Sequence, residues 1–204
     1  MGQFAPHALD GLREALETGQ IMVGRVEHER VPMPARFQLI GATNPCPCGG
    51  GAPGACECDE RSKHRYLGRL SGPLLDRFDL RIAAQRPGID EMLDGGRGES
   101  TEVVAARVAA ARQVAVARAG RLNATLDDEL LAEFAPLDDA ASRHLRSVLE
   151  RGRLTARGYH RVRRVSRTLA DLAGLIDGPI PEDIVVEALS MRTRIGFASV
   201  GQAA

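Results

Sequence analysis

Apolar positions recur at helical spacing from Phe4 to Glu17. Phe4, Ala8, Leu9, Leu12 and Leu16 share one face, and Gly19 follows as a stop signal. Ile21-Met22-Val23 and Val31 then flank a polar tip, Glu27-His28-Glu29-Arg30, which predicts a β-hairpin over Ile21 to Val31, ended by Pro32 and Pro34. Phe37-Gln38-Leu39-Ile40-Gly41-Ala42 is a short apolar run of the kind found in buried parallel strands. It leads into Thr43-Asn44-Pro45 and a glycine-rich loop. A helix is expected from Asp59 to Leu70, then a loop, a short helical turn and the start of a strand through Ile82.

Pro87 to Gly98 reads as a linker, with Pro-Gly, an acidic patch and Gly-Gly-Arg-Gly. Beyond it the pattern is helical throughout. Ser100 or Thr101 caps a helix to about Ala119, with Gly120 behind it. Further helices are expected over Asp127–Phe134, Asp138–Arg151, Ala156–Leu175 and, opened by Pro181, near Glu182–Arg194. The longest, from Ala156, places Tyr159, Val162, Val165, Leu169 and Leu172 on one face. The fold class is therefore α/β plus all-α: residues 1–86 as α/β, 87–98 as linker and 99–204 as a helical domain.

Composition adds limits. Of 204 residues 44% are hydrophobic and 26% charged, ordinary for a globular chain, and no apolar run approaches the roughly 20 residues of a membrane span. The first residues lack a basic segment and an apolar segment, so a cytoplasmic location is expected. Tryptophan is absent and aromatics make up 3%, so the core must be built from Leu, Val, Ile and Ala. Net charge is zero, yet between Arg143 and Arg167 nine arginines (143, 146, 151, 153, 157, 161, 163, 164, 167) face one acid, Glu150. Such a block is either a solvated helix face or a surface for an anionic partner. The single lysine, Lys63, lies in Arg-Ser-Lys-His, so the chain contains no Gly-x-x-x-x-Gly-Lys-Ser/Thr phosphate loop.

All four cysteines fall in one loop, Cys46-Pro-Cys48 and Cys56-Glu-Cys58 with seven residues between the pairs. Thiols in a reducing compartment stay reduced, and four of them suit tetrahedral zinc in a structural role. The one-residue gap is tighter than the usual two to four, and the alternative is four thiols without a metal.

Three stretches together, "GATNPCPCG" after an apolar run, "LSGPLLDRFDL" and "LTARGYHRVRRVSRTLADL", resemble the magnesium-chelatase-like branch of the AAA+ ATPases, most closely its bacterial competence ComM (YifB-type) proteins. The resemblance runs from Phe4 to about Phe197. It implies the C-terminal part of an AAA+ P-loop NTPase core followed by a helical lid. It implies that Asn44 is sensor 1, orienting the attacking water against the terminal phosphate of ATP. Arg77 would be the arginine finger, reaching the site of a neighbouring subunit. Arg157 would be sensor 2 on the lid, with Arg161 and Arg164 on the same face, Arg161 toward the nucleotide, and Arg153 and Arg161 as competing assignments. The hairpin would project into the pore of a homo-hexameric ring, where Arg25, His28 and Arg30 would meet DNA; the other reading of that tip is a plain solvated turn.

Family members carry a P-loop and an acidic pair ahead of the position of Phe4, the groups that cradle phosphate and hold Mg²⁺. Neither is in this sequence, so the chain is expected to be a piece of a longer ATPase and not to hydrolyse ATP alone. The implied activity of the whole is an ATP-driven DNA motor. A protein-remodelling ATPase of the chelatase kind and a non-enzymatic zinc and nucleic-acid binding module are the alternatives.

Overall fold

The computed structural model describes residues 1–24, 30–50, 56–84, 88, 93 and 98–193. Most of the expected linker, Arg25 and His28 of the hairpin tip, and the end of the last expected helix lie outside these residues. The chain packs as two units, Met1–Phe78 and Asp79–Thr193.

In the first unit the expected N-terminal helix is two, α1 (Pro6–Asp10) and α2 (Leu12–Thr18). Glycine is a poor helix former, and the break falls at Gly11. Its N–H still reaches the carbonyl of His7 at 3.0 Å, so the chain keeps its direction. Gly19 ends α2 at φ 67°, a left-handed conformation that glycine adopts without strain. β1 (Gln20–Val23) and β2 (Val31–Pro34) then form an antiparallel pair, with Ile21 opposite Met33 and Val23 opposite Val31. Pro32 and Pro34 do not end the hairpin; both lie within β2. A two-stranded ribbon has two free edges, and proline is tolerated where its missing N–H would face outward.

The run Phe37–Ala42 is not a strand. Phe37 is 48% and Ile40 85% exposed. A parallel strand needs a neighbour to take its backbone bonds, and no described residue supplies one. Instead the Met1 ammonium donates to the Ala42 carbonyl at 2.5 Å, and Gly2 N–H donates to Thr43 Oγ1 at 3.3 Å. α3 (Glu60–Leu67) begins at Asp59, whose carboxylate accepts the Ser62 N–H at 2.8 Å, and it stops short of Leu70. α4 (Gly72–Leu75) is one turn capped by Ser71. Leu9, Leu70 and Leu74 form the buried centre of this unit, with Met1, Leu16, Leu75 and Phe78 around them.

The second unit is helical. α5 (Thr101–Ala119), α6 (Asp128–Phe134), α7 (Asp139–Glu150), α8 (Ala156–Leu172) and α9 (Glu182–Ser190) surround a core of Leu126, Leu131, Leu145, Val162, Ile180 and Val185. Ser100, Asp127, Asp138 and Thr155 each accept a backbone N–H of the following first turn. A cap of this kind contributes about 1 kcal/mol. α8 packs against α5, α6, α7 and α9 and is the centre of the unit. It ends at Leu172, three residues earlier than its periodicity predicts, and Leu172 is 40% exposed. The strand expected through Ile82 is reduced to one parallel bridge between Arg81 and Arg192.

The arginine block is only partly a solvated face. Arg143, Arg146, Arg151, Arg153 and Arg157 are exposed, whereas Arg161, Arg163, Arg164 and Arg167 turn into the unit. Arg163 donates to the carbonyls of Leu131 and Ala135, and Arg164 to that of Leu126. Arg167 is 2% exposed and bonds Asp171 and the Leu175 carbonyl. Burial pulls Arg164 and Arg167 down from the usual guanidinium range. Ala135 closes the last turn of α6, so its carbonyl lacks an intrahelical donor, and Arg163 supplies one.

Candidate functional site

The cysteine loop is assembled from two backbone arms. At the first, Cys46-Pro47-Cys48 turns so that Gly49 N–H donates to the Cys46 carbonyl at 3.2 Å. Gly49 sits at φ 73°, a left-handed conformation that side chains rarely adopt. The turn lets Gly50 N–H reach Cys48 Sγ at 3.4 Å. The second arm, Cys56-Glu57-Cys58, runs straight into the Asp59 cap of α3. Cys46 is buried, Cys48 exposed, and Cys56 and Cys58 half-buried.

The four sulfurs lie within 4.8 Å of one another. Cys46 and Cys48 are 3.3 Å apart, Cys48 and Cys56 3.6 Å, and Cys56 and Cys46 3.5 Å. A tetrahedral zinc with bonds of about 2.3 Å needs sulfurs about 3.8 Å apart. The donor set therefore fits the ion with small adjustments. Four thiols this close resist losing protons. The Cys58 N–H pulls the Cys56 thiol down, but contacts with Cys46 and Cys48 and partial desolvation outweigh it, and Cys56 is pushed up to about 11. Cys58 is pushed up as well, chiefly by the Cys48 thiol. A divalent cation would reverse this by binding the thiolates.

Asn44 lies two residues before Cys46 and is exposed, with its amide beside Gly49. Arg77 follows α4 and is anchored within its own unit. Its Nη2 lies 2.5 Å from Glu17 Oε2, Nε donates to the Arg13 carbonyl at 3.1 Å, and Nη1 to the Pro73 carbonyl at 2.7 Å. The acids adjacent in sequence, Asp76 and Asp79, are not these partners. Asp79 instead pairs with Arg161 at 2.6 Å in the second unit.

Arg157 lies in the first turn of α8 and is exposed, as is Arg153 just before the helix. Arg161 is half-buried and holds the Asp79 carboxylate. In the hairpin, Arg30 is described and exposed beside Gly24.

A polar cluster that the sequence does not announce lies at the centre of the second unit. Asp171, fully buried, accepts two bonds of 2.7 Å from Arg118 and one of 2.7 Å from the Asn123 amide, and pairs with Arg167 at 3.1 Å. It ties α5 to α8. The one signal available in the sequence is the Arg167–Asp171 spacing of one helical turn.

Comparison with known proteins decides the family. The family described as magnesium chelatase, subunit ChlI, matches residues 1–92, and its C-terminal counterpart matches residues 98–192. The chain belongs to the magnesium-chelatase family of AAA+ proteins. It is 45% identical over 191 residues to an uncharacterized protein of Mycobacterium tuberculosis, covering 91% of this chain and 37% of the relative. It is 37% identical over 194 residues to competence protein ComM of Haemophilus influenzae, covering 95% and 38%. It is 40% identical over 172 residues to the uncharacterized protein YifB of Escherichia coli, covering 83% and 34%. The chain thus spans less than two fifths of the length of these curated relatives. Among the described residues, no helix is long and apolar enough to cross a membrane.

Proposed function

We propose that this chain is the portion, from the pore hairpin through the lid, of a ring-forming ATP-dependent DNA motor of the helicase or branch-migration kind, acting in DNA uptake and recombination. The observation that carries this reading is the similarity to competence protein ComM across 95% of the chain. In this reading Asn44 positions the attacking water and Arg157, assisted by Arg161, senses the nucleotide of its own subunit. Arg77 stabilises charge at the site of the next subunit. Arg25, His28 and Arg30 contact the DNA backbone in the pore of a hexamer. ATP and Mg²⁺ are bound by the whole protein. This sequence has no phosphate loop, so it supports hydrolysis only within the longer protein.

Zinc held by Cys46, Cys48, Cys56 and Cys58 stiffens the connection between Asn44 and α3, and through it the segment carrying Arg77. The ion supplies a fixed crosslink between two short arms and takes no part in the chemistry. Complete metal removal from the longer protein should lower ATPase activity and ring assembly together; if both survive, the zinc has no coupling role.

The second reading is a remodelling ATPase of the chelatase kind whose partner is another protein, and the match to the magnesium-chelatase family is what brings it forward. The hairpin separates the two. Arg25→Ala with Arg30→Ala in the longer protein should weaken DNA binding and DNA-stimulated ATP hydrolysis at least tenfold. Unchanged DNA binding removes the main support for the motor and favours the protein-remodelling reading.

A further inference from the structure

Beside the cysteine loop, the first unit holds a hollow of about 370 Å³ lined by Gln3, Pro47, Ser62, Arg65, Tyr66 and Arg69. Its floor is fixed. A Cβ on Gly2 would come within 2.3 Å of the Tyr66 ring, so only the bare Gly2 backbone fits against it. Tyr66 Oη lies 3.4 Å from Thr43 Oγ1, and Arg69 Nη1 donates to the Gly2 carbonyl at 3.0 Å.

The lining is rich in donors and contains no carboxylate. Two guanidinium groups, a hydroxyl and an amide meet the proline and tyrosine rings. The acids at the start of α3 are engaged elsewhere: Asp59 caps the helix, and Glu60 pairs with Lys63 at 2.8 Å. Lys63 is raised chiefly by that bond to Glu60. Among the described residues Arg65 has no ion pair, and the bond of Arg69 to Gly2 uses one of five guanidinium N–H groups. Both arginines line the hollow, Arg65 from α3 and Arg69 from the turn after it, and suit the geometry of an oxyanion, which a planar fork binds through paired hydrogen bonds. A volume near the lower end of the roughly 300–1,000 Å³ range of ligand clefts leaves room for the group carrying the charge.

We propose that this hollow binds a phosphate group, held by Arg65 and Arg69. Neither Asn44 nor Arg77 is among the residues that line it, and the proposal does not rest on the motor reading. Phosphate from a nucleotide and phosphate from a DNA backbone share this chemistry, and a titration separates them.

The zinc-loaded 204-residue chain would be titrated with pyrophosphate, ATP and a short single-stranded oligonucleotide at fixed ionic strength. Saturable binding is expected, weakened at least tenfold by Arg65→Ala and by Arg69→Ala. Arg146→Ala, an exposed arginine on α7, should leave it unchanged. Arg65 is exposed and has no ion pair to lose, so Arg65→Ala should melt at the parent temperature; Arg69→Ala also loses the Gly2 contact and is read only alongside it. Binding of pyrophosphate and ATP without the oligonucleotide identifies a nucleotide site. Arg65-dependent binding of the oligonucleotide identifies a backbone site. No saturable binding of any probe, or equal weakening by Arg65→Ala and Arg146→Ala, overturns the proposal.

Discussion

Arg77 and Glu17 form a 2.5 Å ion pair that joins the turn after α4 to the last turn of α2. With two carbonyls completing its partners, the Arg77 side chain is only 10% exposed. A residue that acts on a neighbouring subunit must exchange these bonds for a phosphate. In the longer protein, Arg77→Ala should lower kcat by about a thousandfold or more while nucleotide binding persists. In this chain alone it should cost about 1–3 kcal/mol of stability, from the lost charge-assisted bonds. Lost stability with full turnover in the longer protein would show that Arg77 serves only to hold α2 against α4.

Zinc affinity should depend steeply on pH, and the sign follows from the thiols. Cys56 is pushed up to about 11 and Cys58 is raised, so both carry protons at neutral pH when no metal is bound. Zinc must displace those protons, and affinity should rise as pH rises through the neutral range. A chelator competition run at several pH values measures it. Affinity independent of pH would mean that the four thiols do not act as ligands.

Asp171 is the acid on which the second unit depends. Asp171→Ala leaves Arg118 and Arg167 in a buried site without their carboxylate, and urea unfolding should show a loss of about 3–5 kcal/mol. Arg161→Ala is the contrast. Its partner Asp79 is 52% exposed, so the loss should stay below about 1 kcal/mol. Equal losses from the two would mean that burial is not what gives the Asp171 cluster its weight.

The hairpin prediction concerns salt. If Arg30 meets a DNA phosphate in the longer protein, Arg30→Ala should weaken binding uniformly across sequences and reduce the slope of log affinity against log salt by about one. A change confined to particular DNA sequences would point to base contact instead.

What the sequence made legible was local. Gly19 and Gly120, the cap Ser100, and the two short arms of the hairpin act over a few residues and were readable from order alone. The cysteine cluster was readable for the same reason, because all four ligands sit within one loop. Phe37–Ala42 was misread because a parallel strand exists only through its neighbours, and the apolar pattern says nothing of whether they are present. The arginine block was half-misread for a related reason. Arg163 and Arg164 answer carbonyls at Leu131, Ala135 and Leu126, and Arg118 reaches Asp171 from 53 positions away. Partners so distant in the chain leave no periodic trace. Glu17, the partner of Arg77, was hidden in the same way.

The prolines of β2 carry a consequence for how this ribbon meets other chains. Ala35 N–H donates to the Gly19 carbonyl at 2.7 Å, which fixes the odd-numbered residues of this arm as those facing β1. Pro32 and Pro34 therefore face outward, where neither has a hydrogen to give. A stray strand approaching that side finds consecutive gaps in the row of donors, and aggregation by edge-to-edge growth is blocked there. The outer edge of β1 carries no proline. Any β-strand from another molecule that extends this sheet must add along that side, so growth of the ribbon has one permitted direction.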